Sequence, residues 1–448
     1  MDDLIEIRHN EWHLLQPAEV GAATGTPSVS VIIPVRDSRD RLERLVASLS
    51  RQTYPGELIE VIVVDDGSDT EISPSVQDGD VAVTVVRLER TSGFGAGRAR
   101  NAGAAEASGD VLVFLDADML VGPEGIERVA RWFDVAPYAA VTGRIDFFDD
   151  SAIPQEQLRR AIDTGTLEET LRSGSTDDQS YREKSFSRTN DLTSDCPDLF
   201  RVTVGAFMAV SGQLFRAVGG LRELGIRGIE DTEFGYRLHV AGALMVLDRS
   251  IPLWHQGKRH FDSSKAAQTR AARAPFMHDL IAAPTFREPA SVTPTVPTVL
   301  LDCRSVSASA SYFEELRGTP DADIVFLFDP TSALRCDWFD QDDRFRIEAQ
   351  MEPVDLAAVP FLIVPRSTIR FEDHSITELV ELMRSRGLGV LHLLDGEGTT
   401  CARVFSARSL GRARLLGAAV EREVEKAGEL FGDWWSPASD FGVSSGSS

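Results

Sequence analysis

Apolar residues in this chain come in short runs closed by polar or turn-forming residues. The runs alternate with stretches in which apolar residues recur three or four positions apart. Val29-Ser-Val-Ile-Ile-Pro34 is the first run, and proline stops it. Between Arg39 and Gln52, Leu42, Leu45 and Leu49 fall on one helical face. Further runs follow at Ile59–Val64, Val81–Leu88 and Val111–Leu115, with a small-residue helix predicted over Gly97–Ala107. Strands alternating with helices predict βαβ units and a largely parallel sheet. Right-handed crossovers then bring the strand ends to one rim, where open α/β sheets bind ligands.

The pattern changes several times along the 448 residues. Residues 1–27 read as an N-terminal extension and 28–287 as one α/β domain. Inside that domain, 149–200 is polar and reads as a flexible insertion or flap, with a turn at Gly174-Ser-Thr-Asp-Asp178. Packed structure resumes at Val202–Val210, and Leu244–Leu247 is strand-like. Residues 288–297 are rich in proline and threonine and read as a linker. A second, C-terminal α/β domain is predicted over 298–436. Its strands lie near Val299–Cys303, Asp323–Phe328, Phe361–Pro365 and Gly389–Leu393, and its helices at Ile376–Arg386 and Ser409–Leu430. Its expected role is accessory, on the acceptor side or in self-association of the chain as a homo-oligomer. Residues 437–448 read as a disordered tail.

Composition removes some classes of function. The formal net charge of −24 argues against a nucleic-acid partner, because phosphate backbones select basic faces. The first residues carry no basic segment followed by an apolar run, so no signal peptide is read. No apolar run approaches the ~18 residues that a membrane span needs. Cys196, Cys303, Cys336 and Cys401 lie far apart without metal-ligand spacing. Free thiols in a reducing cytoplasm are the expectation.

Candidate chemistry sits where the strands end. Val111-Leu-Val-Phe-Leu-Asp-Ala-Asp118 is an apolar strand closed by two carboxylates, a pair able to hold a hard cation such as Mg²⁺ or Mn²⁺. Alone, an Asp-x-Asp is weak evidence in an acidic chain, and Asp65-Asp-Gly-Ser68 is a turn signal in its own right. The glycine-rich Gly93-Phe-Gly-Ala-Gly-Arg-Ala-Arg-Asn-Ala-Gly103 lacks the Gly-Lys-Ser/Thr ending of a P-loop. Glu230-Asp231 opens an amphipathic helix, where acids also suit the positive helix end.

Taken in order, six features carry more weight than any one of them. They are Ile33-Pro-Val-Arg36, Val63-Val-Asp-Asp-Gly-Ser-Asp69, the glycine-rich stretch, Asp116-Ala-Asp118, Gly228-Ile-Glu-Asp-Thr-Glu-Phe-Gly-Tyr-Arg-Leu238 and Leu253-Trp-His-Gln-Gly257. This series resembles the family 2 glycosyltransferases over residues 28 to about 262. The resemblance implies a GT-A type, Rossmann-like domain and metal-assisted, inverting transfer of one sugar from a nucleotide-diphosphate sugar. It implies that Pro34, Val35, Arg36, Asp66, Arg98 and Asp116 line the donor, with Asp66 at the nucleobase and Asp116 at the ribose or sugar. Arg100 is a further candidate to face the nucleotide, while Asn101 is expected to be structural. The resemblance also implies that Asp118 binds Mn²⁺ or Mg²⁺ and that Asp231 is the general base, with Glu230 beside it as an acceptor or loop contact. His255 is the expected third metal ligand, with His260 as its competitor. The basic stretch Lys258–Lys265, with Arg270 and Arg273, is expected to close over the diphosphate. Processive members carry Gln-x-x-Arg-Trp and membrane helices; this chain has Gln268-Thr-Arg-Ala-Ala, which implies a single transfer. The acceptor, whether glycan, lipid, peptide or small metabolite, stays open. Two other readings are a sugar nucleotidyltransferase, which lacks its Gly-x-Gly-Thr-Arg loop here, and a non-catalytic scaffold.

Overall fold

The computed structural model describes residues 5–22, 27–73, 81–93, 95–172, 175–176, 180–257, 263–287, 294–306, 310–319, 323–328, 342–347 and 358–445. The chain forms two compact units. The first takes Asn10–Leu238 and Leu244–Arg273; the second takes Glu6–His9, His239–Ala243 and Ala274–Ser448. The division therefore falls at Arg273, ahead of the expected linker, of which 288–293 lie outside the described residues.

Among the described residues the first unit has eleven strands: β1 (Val29–Val35), β2 (Ile59–Asp65), β3 (Ala82–Arg87), β4 (Val111–Leu115), β5 (Met119–Val121), β6 (Ala139–Gly143), β7 (Asp146–Phe148), β8 (Ser175–Thr176), β9 (Phe207–Ser211), β10 (Leu244–Asp248) and β11 (Leu253–Gln256). Its helices include α1 (Arg39–Leu49), α2 (Ala96–Glu106), α3 (Gly125–Val135), α4 (Gln155–Asp163), α5 (Leu167–Arg172), α6 (Ser180–Arg188), α7 (Gly212–Ala217) and α8 (Glu230–Val240). The main sheet runs β10-β6-β9-β4-β1-β2-β3. Strands β1, β4, β6 and β10 are buried almost throughout, which explains their near-continuous apolar runs.

The expectation of a largely parallel sheet is met by six of the seven strands of the main sheet, with one exception. β9 runs antiparallel to both β4 and β6, so the sheet is mixed. Because Phe207 pairs with Leu115, the chain entering β9 passes beside the end of β4, at the rim where Asp116 stands. A second sheet, β5-β11-β7-β8, forms next to that rim. In it His255 pairs with Met119 on one side and Phe147 on the other.

The flexible flap expected over 149–200 is mostly helical. Leu158, Ile162, Leu167 and Leu171 are buried against Phe148 and Trp254. Their spacing is helical, but the surrounding charge hides it in an averaged reading. Part of the N-terminal extension is tied to the rest of the first unit. The Asn10 side-chain amide donates to the carbonyls of Leu192 and Met245, and Trp12 Nε1 donates to the Asp191 carbonyl.

The second unit is a separate mixed sheet of β12 (Val299–Asp302), β13 (Ile324–Phe328), β14 (Phe345–Ile347), β15 (Phe361–Pro365), β17 (Val390–Leu394), β18 (Thr400–Ser406) and β19 (Asp433–Pro437), in the order β14-β13-β12-β15-β18-β17-β19. Between β15 and β17, the short β16 (Ile369–Phe371) pairs with β20 (Val443–Ser445). The predicted disorder of the tail is thereby corrected up to Ser445: Ala438 and Val443 are buried in the core of this unit. The single helix expected over Ser409–Leu430 is two, Ala407–Leu415 and Glu423–Phe431, separated by Gly417 at φ +77°.

Candidate active site

The ends of β1 and β2 lie side by side, Val35 opposite Asp65. Val35 is buried, and its carbonyl accepts the Asp66 N–H at 2.9 Å, while Pro34 is half-buried. Asp65 is fully enclosed; its carboxylate accepts from the Ser68 N–H and from Arg87. It shapes the turn and leaves Asp66 to face the rim. Asp66 is held by two guanidinium groups, Arg36 at 2.7 Å and Arg98 at 2.8 Å. Arg36 also donates through Nε to the Asp66 carbonyl. The glycine at 95 is required by this carboxylate: a Cβ there would stand 2.1 Å from an Asp66 oxygen.

On α2, Arg100 points to the opposite side. It is buried, donates to Asp116 at 2.7 Å, and its other terminal nitrogen lies 3.6 Å from Glu230. Asn101 makes paired hydrogen bonds with the backbone of Leu221, a structural role that fastens α2 to the loop before α8. A cavity of about 230 Å³ separates the glycine run at Gly93–Gly97 from the loop at Arg222–Ile226, with Arg98 and Glu230 in its wall.

Asp118 and His255 meet. Nε2 of the imidazole is 3.3 Å from a carboxylate oxygen, and the ring stacks on Phe147 with centroids 4.7 Å apart. β11 makes this contact: Gln256 N–H donates to the Asp118 carbonyl at 2.7 Å. Burial raises the Asp118 pKa; His255 opposes the rise and Asp116 adds to it. A half-buried carboxylate crowded by a second one is an environment that a cation relieves. A carboxylate and an imidazole in contact fit a divalent metal as two protein ligands. Among the described residues no third His, Cys, Asp or Glu joins them, so further ligands would be phosphate oxygens or water. His260 and residues 258–262 of the basic stretch lie outside the described residues. Arg273 packs its guanidinium against Gly228, in the loop that leads to Glu230.

The two acids that open α8 divide their work. Glu230 turns inward and accepts from the backbone N–H groups of Gly228 and Ile229, capping its own helix start. Burial, then the neighbouring Asp231, raise its pKa, and Arg100 opposes them. Of its two expected roles, acceptor contact or loop contact, these hydrogen bonds are of the loop kind. Asp231 stays partly exposed; one oxygen accepts the Gly205 N–H at 3.0 Å and the other the Thr232 N–H at 2.7 Å. Gly205 belongs to the segment entering β9, where the Asp116 N–H donates to the Ala206 carbonyl at 3.2 Å. Asp116, Asp231 and Arg100 are therefore linked around one point.

Several supporting residues escape a reading of the sequence. Gly205 is one; a Cβ there would stand 2.2 Å from Arg100 Nη2. Glu233 is fully buried, pairs with Arg237 at 2.6 Å and with Arg222 at 3.0 Å, and so fixes α8. Its spacing of four from Arg237 was a usable signal. Gln256 is buried, accepts from Arg44, and donates to the carbonyls of Arg41 and Met119, holding β11 and His255 in place. Arg41 is clamped to Asp150 and lies against Gly257, on the Asp118 side of the rim. No sequence spacing announces these last contacts.

Comparison with known proteins agrees with this geometry. Residues 30–208 match the family model described as Glycosyl transferase family 2. The chain is 32% identical over 237 residues to validoxylamine A glucosyltransferase of Streptomyces hygroscopicus subsp. limoneus, covering 51% of each protein. It is 28% identical over 140 residues to poly(ribitol-phosphate) beta-N-acetylglucosaminyltransferase TarS of Staphylococcus aureus strain Mu50, covering 31% of this chain and 24% of TarS. The chain thus spans about half the length, or less, of these curated relatives. Among solved structures, a mannosyltransferase from Pyrobaculum calidifontis in complex with GDP-Man and Mn²⁺ aligns at 16% identity over 60% of this chain and 66% of that one, with a TM-score of 0.36, too loose a likeness to argue from. Among the described residues no helix is long and apolar enough to cross a membrane. The similarity to glycosyl transferase family 2 is thus confined to residues 30–208, which lie in a mixed α/β domain.

Proposed function

We propose that the chain transfers one sugar from a nucleotide-diphosphate donor to an acceptor nucleophile, with inversion at the anomeric carbon and with Asp231 as general base. The observation that carries this reading is the meeting of three acid-bearing elements at one rim: Asp118 against His255, Asp116 against Arg100, and Asp231 on the Gly205 N–H. Asp231 has both oxygens fixed by backbone donors and keeps lone pairs free. It can take the acceptor's proton as the acceptor attacks. Asp66, with Arg36 and Arg98, supplies a flat, charged edge for a nucleobase. Arg100 sets the direction of Asp116, which then meets a sugar or ribose hydroxyl.

Asp118 and His255 would hold a divalent cation, which when bound neutralises charge gathering on the departing diphosphate. A mixed oxygen and imidazole donor pair suits Mn²⁺ better than Mg²⁺, which takes oxygen ligands.

The test is transfer and donor affinity measured together in Asp231→Asn. Asparagine keeps the shape and removes the basicity, so turnover should fall by at least ~10² while donor affinity stays near wild type. Lost donor binding with intact turnover per bound donor would make Asp231 a binding residue and overturn the assignment. Transfer by the wild type in excess chelator, undiminished, would remove the metal from the reading.

A further inference from the structure

The second unit carries an exposed row of aromatic and basic side chains that the transfer reading does not use. Alternate residues of a strand share a face. In register, Trp435 lies beside His392, His392 opposite Arg403, and Arg403 opposite Val364. The four therefore form one row across β19, β17, β18 and β15. The neighbouring part of this face, at Val390 and Phe405, is covered by Leu410 and Ala427. The row itself is open: Trp435 is 53% exposed, and the other three are half-buried. The His392 ring lies flat on the Trp435 indole, with centroids 4.7 Å apart and planes 8° apart. Arg366 follows β15, its backbone N–H donating to the Cys401 carbonyl at 2.8 Å, and its charge reaches both His392 and Arg403.

This arrangement is costly as it stands. The chain has 70 acidic residues against 46 Lys and Arg, yet Arg366 and Arg403 act on each other here with no carboxylate ion-paired to either among the described residues. Arg403 Nε is buried and has no hydrogen-bond partner. Burial, and then the Arg366 charge, lower the Arg403 pKa; burial, and then Arg403, lower that of His392, with Asp433 opposing. Crowded like charges with unused donors are relieved by an anion, and guanidinium groups take carboxylate or phosphate through paired N–H bonds. The indole beside them is a flat apolar surface with room for a ring.

We propose that this row binds an anionic saccharide, its ring on Trp435 and its carboxylate or phosphate on Arg403 and Arg366. The inference stands apart from the transfer reading and needs none of its residues. A nucleic acid is the less fitting occupant, because among the described residues only Arg366 and Arg403 bring positive charge to His392, in an acidic chain.

The experiment uses the full chain, with tryptophan fluorescence and calorimetry. The probes are a galacturonic acid tetramer, glucose 6-phosphate, maltotetraose and a single-stranded oligonucleotide. At least one anionic sugar should bind ten times more tightly than maltotetraose, and that affinity should fall tenfold or more in Arg403→Gln and in Trp435→Ala. Binding of the uronate identifies a carboxylate group, and binding of the hexose phosphate a phosphate group; either supports the site. Without ligand, Arg403→Gln should melt no earlier than wild type, because it removes a crowded charge. An earlier melt would show that Arg403 serves the fold. That result, equal affinity for maltotetraose, tighter binding of the oligonucleotide, or affinities unmoved by both substitutions would each overturn the proposal.

Discussion

The proposed general base, Asp231, must be held still without being consumed, and the Gly205 N–H that it accepts meets that need. The same glycine leaves room for Arg100. Gly205→Ala would place a carbon 2.2 Å from Arg100 Nη2, pushing it off Asp116 and shifting the donor to Asp231. Misplacement by about an ångström near the reacting atoms costs on the order of 10²-fold. Transfer should therefore drop ~10- to 100-fold in this variant, and an unchanged rate would mean that neither contact matters to the chemistry. At Asp118, the Asn substitution removes one charged oxygen from the proposed cation site. Calorimetry with a nucleoside diphosphate should show that the gain in affinity from added Mn²⁺ disappears, while affinity without metal stays the same. A full Mn²⁺ effect in Asp118→Asn would contradict the ligand role.

Elements are tied to one another by a few buried polar groups. Asp248, the last residue of β10, accepts from Trp132 Nε1 and Arg131 on α3 and from Ser250. Burial alone would raise its pKa, but the hydrogen bonds from Ser250, Trp132 and Arg131 outweigh burial and hold it below the usual carboxylate value. A group lowered in this way stabilises the fold above its unfolded pKa, and that stability is lost as pH falls through the folded value. Asp248→Asn should lower stability at pH 7 by about 1.5–3 kcal/mol, the scale of hydrogen bonds to a charged group. Denaturant titration should show the gap to wild type shrinking only below about pH 4. A gap independent of pH would mean that shape, not charge, is what Asp248 supplies. At the same scale, β9 shows how an element can be found but misdirected. Its apolar run is plain from Val202 to Val210, yet nothing in that run announces that it pairs antiparallel.

The chain as a whole passes between its two units more than once, since residues 6–9 and 239–243 belong to the second. Within that unit Arg412 is fully buried and donates to the carbonyls of Ile7, Gly242 and Ala243. Gly242 is needed there twice over, for its φ of +89° and because a Cβ would stand 2.2 Å from the Arg412 backbone nitrogen. Arg412→Leu would strand three buried acceptors and should cost on the order of 3–5 kcal/mol, seen as an earlier thermal transition of the full chain. Wild-type melting would show that these carbonyls find other donors. A chain cut at 288–297, where the sequence reads a linker, loses Arg412 and should expose the same groups.

Short-range features were legible in the residues alone. Val111–Leu115 and Phe361–Pro365 are strands with the predicted limits, and α1 carries the predicted buried leucines. Burial on both faces writes itself as an apolar run, and burial on one helical face as a spacing of three or four. The ordered acids also pointed to one rim, because strand ends in a parallel sheet share a rim. Only the tertiary structure decided what those acids touch. The Gly205 donor lies 26 residues from Asp231, Asn10 lies 235 from its partner Met245, and Ile7 lies 405 from Arg412. Such pairs form when chain closure and packing bring separated backbone groups together. A backbone N–H or C=O is the same at every residue, so no local pattern of side chains could mark which ones would meet.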